Sequence, residues 1–194
     1  MFIILIVIII SLVAFFVWKT YNGFVTTKTR IGASIQEIGN QLKRQANLIP
    51  NLIQSTKGYL KQEKDIYDKI TRARSRILSA SQGENAAEMV KASQELSGLM
   101  KSINVILEDN PELKSSETVT NLMQELTDTS DKIMYARRTL IDLTADYNIK
   151  IATFPSNLIG NMFGFKKEKG LTMPVETEAT QVSTEETKTP KVDL

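Results

Sequence analysis

The sequence predicts an all-α protein: an N-terminal transmembrane helix, an antiparallel four-helix up-and-down bundle and a disordered C-terminal tail. Three observations carry that prediction. Residues 1–18, MFIILIVIIISLVAFFVW, contain one polar side chain, Ser11. Between residues 20 and 154 apolar residues recur at steps of three and four, with sparse Gly and Pro and no strand-like alternation. From residue 166 onward the chain is rich in Thr, Glu, Lys and Pro and has no aromatic residue.

The apolar run comes first. As a helix rising ~1.5 Å per residue it would be roughly 26 Å long, close to the ~30 Å hydrocarbon core of a bilayer. Trp18, Lys19 and Tyr21 follow as interfacial residue types. A cleaved secretory signal fits less well: no basic side chain precedes the run, and the exit FFVWKTYNGF puts large residues where signal peptidase needs small ones. Lys19, Lys28 and Arg30 lie after the span, so the positive-inside rule expects Met1 outside and the C-terminal body in the cytoplasm.

A heptad seam then passes through Phe24, Ile31, Ile35, Ile38, Leu42 and Ile49, with Lys28 and Gln45 in the two remaining positions. Pro50 has no N–H and clashes with the preceding turn, so it either kinks a long helix or opens a new one. Leu52, Tyr59, Ile66, Ile70, Ala73, Ile77 and Ala80 continue the seam, and Gly83 is expected to close that segment in the left-handed conformation. A third helix begins near Asn85 and buries Met89, Leu96, Leu99, Ile103 and Ile106. Asn110-Pro111 reads as an N-cap followed by Pro in the first turn of a fourth. That fourth helix carries Val119, Leu122, Leu126, Thr129, Ile133, Ala136, Leu140, Leu143 and Tyr147, with Ile151 and Phe154 continuing it before Pro155. Such helices with short connections pack as an antiparallel bundle, of four helices if Pro50 is a start and of three long ones if it is a kink. Residues 156–165, SNLIGNMFGF, are expected to cap the bundle end rather than touch the membrane surface. The residues after 165 cannot bury enough apolar surface to offset their ordering entropy.

Composition narrows the chemistry. Lys plus Arg number 24 against 22 for Asp plus Glu, a net charge of +2 that argues against a general nucleic-acid binder. With neither Cys nor His, disulfides, thiolate metal sites, a cysteine nucleophile and the commonest general base are all excluded. No Gly-rich phosphate loop occurs. The acids Glu63, Asp65 and Asp68, and Glu125, Asp128, Asp131 and Asp142, mostly avoid the seam and read as solvated faces. Arg72, Arg74, Arg76 and the pair Arg137-Arg138 are expected to be surface cations paired with helix acids. Neither a catalytic residue nor a metal or cofactor is expected.

Five stretches resemble the LemA family of bacterial membrane proteins: YNGFV (21–25), LKRQANLIPNLI (42–53), TKGYLKQEK (56–64), YARRTLIDLTADYN (135–148) and FPSNLIGNMFGFK (154–166). The resemblance implies one membrane helix over 1–18, a cytoplasmic four-helix domain over 19–165, a tail over 166–194 and no established enzymatic activity. It makes Pro50 a helix start. Gln45 and Asn47 replace the family's usual Arg and Asp, Gln62 stands where His is common, and Thr139 and Leu140 depart after the arginine pair. The expected function is a membrane-anchored, non-enzymatic interaction or scaffold module with a protein partner at the membrane. Lys43, Arg44, Asn47 and Asn51 are the candidate partner-binding residues. Alternatives are a membrane-surface organiser that holds anionic lipid through Lys19, Lys28, Arg30 and residues 156–165, and a carboxylate-dependent enzyme.

Overall fold

A computed structural model describes residues 1–60, 64–83 and 85–171. Every regular element in them is helical: α1 (Phe2–Leu60), α2 (Lys64–Gln82), α3 (Ala86–Asp109), the single turn α4 (Pro111–Lys114), α5 (Glu117–Ala152) and α6 (Ser156–Met162). Residues 172–194, where most of the expected tail falls, and residues 61–63, which include Gln62 and Glu63, lie outside the described residues.

The apolar run is the first part of α1, and none of its side chains is buried. Among the described residues this is the one helix long and apolar enough to cross a membrane. The same helix continues into the body without a break. Phe24, Ile31, Ile38, Leu42, Ile49 and Leu52 are buried along one stripe, as the seam predicts, and Gln45 is buried among them. Each fully buried Leu or Ile contributes roughly 1.5–3 kcal/mol.

Pro50 does not start a helix: α1 runs through it to Leu60. The N–H that Pro lacks would bond the carbonyl four residues back, at Ala46. That carbonyl accepts instead from Arg74 Nε on α2, at 3.0 Å. The neighbouring helix supplies the missing donor, and the helix survives its proline. No helix start occurs at Pro50, and the next described helix begins at Lys64.

α5 runs antiparallel to α1. Tyr147 packs edge-on against Phe24 (ring centroids 5.7 Å) near the span, and Ser130 meets Gln45 further out. α2 returns along the outer part of α1, so that Ser81 and Met89 stand beside Gly39. α3 pairs with α2 through Arg76 and Glu95. Between Gly39 and the span, α1 is therefore paired mainly with α5, and α6 closes the base.

Three local expectations change. Gly83 ends α2 without a positive φ; among the described glycines only Gly164 has one (72°). Asn85 caps α3, accepting from the Ala87 N–H at 3.1 Å; Asn110 sits at the N-cap of the turn α4 with Pro111 in its first turn, as expected, but its side chain turns back to the Ile106 carbonyl at 2.8 Å. It thus serves the end of α3, and the turn α4 separates it from α5. Along α5 the expected positions from Val119 to Tyr147 and Ile151 are buried, except that Met123 and Thr144 are buried where Leu122 and Leu143 are only partly so, and Phe154, beyond the helix end, is exposed. A heptad drifts by ~20° per repeat against a straight helix, which brings Thr144 inward beside the partly buried Leu143.

Residues 166–171, assigned to the tail from sequence, lie against α1 and α5. Asn148 holds the Glu168 backbone at both ends: Nδ2 donates to its carbonyl at 2.9 Å, and Oδ1 accepts its N–H at 3.0 Å. Lys28 Nζ pairs with the Glu168 carboxylate at 2.9 Å, and Leu171 packs on the core. One amide side chain here does the work of a neighbouring strand, so a polar segment is ordered with little apolar burial.

Candidate interaction surfaces

The block LKRQANLIPNLI lies wholly on α1, and helical spacing divides its roles. Leu42, Ala46, Ile49 and Leu52 enter the core. Gln45 is fully buried and donates Nε2 to Ser130 Oγ at 2.9 Å, while its Oε1 has no partner. Arg44 turns to α5, where its guanidinium meets Glu125 at 3.3 Å; both side chains are about half exposed, so screening leaves the pair ~0–1 kcal/mol.

The structure does not gather all four candidate residues. Lys43, Asn47 and Asn51 are exposed at successive i, i+4 positions and form one stripe. Arg44 is on a different face, engaged with Glu125. With α1 continuous, Lys43 and Arg44 cap no helix end. Lys43 lines a recess of about 320 Å³ with Gln36, Asn40 and Met89.

The basic cluster of α2 also divides. Arg74 is the donor to Ala46, a role invisible in the sequence because it depends on α2 folding back beside Pro50. Arg76 forms a two-oxygen pair with Glu95 at 2.5 and 2.6 Å, and that carboxylate holds the guanidinium pKa above its usual value. Arg72 and Lys69 line the open groove beside that pair. The acids named on α5 do not converge. Glu125 is taken by Arg44 and Asp128 by Lys132 at 2.8 Å, which holds the Asp128 carboxyl below its usual range. No group of three or more potential metal ligands forms among the described residues.

A second surface lies where α1 leaves the apolar span. Tyr21 packs on Phe163 (4.8 Å) and Phe165 (5.7 Å), and Phe24 stacks on Phe165 (5.0 Å). Ile159 and Gly160 face inward, with Gly160 against the Phe24 ring. Capping is thus one function of residues 156–165. Tyr147 lies beneath, its hydroxyl buried without a partner, and desolvation pushes its pKa up. The Lys28 ammonium is held protonated to higher pH by the Glu168 carboxylate.

The model of the LemA family matches residues 34–185. The chain belongs to the LemA family. Among curated proteins, this LemA-family chain is similar to the magnetosome protein MamQ of Magnetospirillum gryphiswaldense, 23% identical over 184 residues covering 82% of this chain and 68% of that protein. It is 22% identical over the same extents to magnetosome proteins MamQ 1 and MamQ 2 of Paramagnetospirillum magneticum. Two of the LemA-like blocks, 21–25 and 154–166, meet in space as the aromatic base. A third, 42–53, contacts the α5 face that precedes the block at 135–148. Most of the block at 56–64 falls where side chains are not described.

Proposed function

We propose that this LemA-family protein is a single-pass membrane protein whose body serves as a non-enzymatic interaction module in the cytoplasm. One observation carries the reading: α1 continues unbroken from the apolar span into the body. Anchor and body thus share one rod, which holds Lys43 ~37 Å and Asn51 ~50 Å beyond Trp18 at 1.5 Å per residue. In this reading α1, α2, α3 and α5 form the antiparallel four-helix up-and-down bundle. The relatives are magnetosome proteins by name, and their likeness to this chain supports a membrane setting.

The stripe Lys43, Asn47, Asn51 is the partner-binding surface in this reading. Its side chains make no ion pair or hydrogen bond within the described body, and a cation flanked by amides suits an acidic or polar protein face. Arg44 is left out because Glu125 already occupies it. The test is crosslinking in intact membranes with Lys43→Glu and Asn47→Ala, beside Lys101→Glu as a distant control. The crosslinked species should be lost in the stripe variants and kept in the control, with helical content unchanged. Equal capture by all three removes the stripe from the proposal.

A further inference from the structure

The corner after α5 has two faces, and the core uses only one. Ile159 and Gly160 are buried against α1, whereas Phe154, Leu158, Met162 and Phe163 are 78%, 60%, 66% and 47% exposed. Leu158 and Met162 are four apart on α6 and share one face, and Phe154 in the turn before α6 and Phe163 just after it are exposed with them. Bundle capping explains the inward face and leaves the outward one without a solvent-side reason.

Its height along α1 identifies what covers it. Phe163 packs on Tyr21, and Gly160 on Phe24. Tyr21 and Phe24 lie ~4.5 and ~9 Å beyond Trp18 at 1.5 Å per residue. The headgroup layer on each side of a bilayer is roughly 5–8 Å thick. The antiparallel register, Phe24 against Tyr147, brings the end of α5 down to the same level. The corner therefore stands at the level where α1 leaves the apolar span. Lys19, Lys150, Lys166 and Lys167 are exposed around it and form no ion pair among the described residues.

We propose that Phe154, Leu158, Met162 and Phe163 rest in the headgroup layer of the bilayer that α1 spans, with the surrounding lysines on anionic lipid. This rests on the single-pass reading above and deepens it: the protein holds its membrane at two points, a span and a surface corner. Two attachments fix the tilt of the body, and with it the direction in which the stripe at 43, 47 and 51 faces.

The chain has no Cys, so Leu158→Cys gives one labelling site in the full-length protein. An environment-sensitive fluorophore there is compared with one at Asp131→Cys on the outer part of α5. Both proteins are reconstituted in phosphatidylcholine vesicles with or without phosphatidylglycerol, each containing a shallow bromolipid quencher. Alkaline extraction of the same vesicles reports the anchor separately. The expected result is resistance to extraction, with quenching several-fold stronger at 158 than at 131, enhanced by phosphatidylglycerol and reduced by Met162→Asp. An anchored protein with an unquenched 158 label overturns the corner alone. Equal quenching with and without phosphatidylglycerol overturns the anionic-lipid assignment. Shielding of the label in native membranes but not in vesicles shows a protein occupant and overturns it too. Extraction of the protein at high pH overturns the single-pass reading and the corner with it.

Discussion

Pro50 removes one backbone donor, and the effect reaches the neighbouring helix. The Ala46 carbonyl, in a fully buried residue, is left to Arg74 Nε at 3.0 Å. A buried carbonyl stripped of its partner costs ~1–3 kcal/mol, so Arg74→Ala should destabilise the full chain in micelles by that amount. Pro50→Ala restores the helical N–H, and in that background Arg74→Ala should cost much less. A double-mutant cycle read by thermal unfolding checks the coupling. Equal costs in both backgrounds would mean that Arg74 acts through packing alone. The residue pattern of LIPNLI shows that a helix is disturbed there. It does not show that the disturbance is repaired, because the repairing group is supplied by α2.

Segment 166–171 illustrates the same limit at the level of an element. Its composition offers little to bury, and from sequence it reads as solvated. The Asn148 amide nevertheless pairs with both backbone groups of Glu168, and Lys28 takes the carboxylate. The ion pair is exposed on its Lys28 side and worth little in salt, so the backbone pair and the packing of Leu171 are the main contributors. Tyr147 and Lys28 both have raised pKa values, which means that the folded form favours their protonated states. Their contributions are complete below the ordinary tyrosine and lysine ranges and are lost as pH rises through and beyond them. In an absorbance titration Tyr147 should ionise above the ordinary tyrosine range. Tyr147→Phe should remove that late step, and Glu168→Ala should bring it to lower pH by removing a negative neighbour. A titration unchanged by Glu168→Ala would show that 166–171 does not cover Tyr147 in solution.

For the whole molecule, the shared rod of α1 makes topology the decisive measurement. Lys19, Lys28 and Arg30 follow the span, so protease added to intact protoplasts should spare the body, and permeabilisation should expose it. Digestion before permeabilisation would reverse the orientation. All-helical character, the apolar span and most core positions from Phe24 to Tyr147 were legible in advance, because apolar periodicity of one segment reports which face leaves water. The LemA-like blocks were legible too, and the family followed from them. Three features were not: the continuity of α1 through Pro50, the split of the LKRQ block between Glu125, Ser130 and solvent, and the binding of 166–171 by Asn148. Each depends on a hydrogen-bond partner from another helix. Local sequence determines which groups a segment must bury or leave unpaired, and only the packed structure decides which distant group satisfies them.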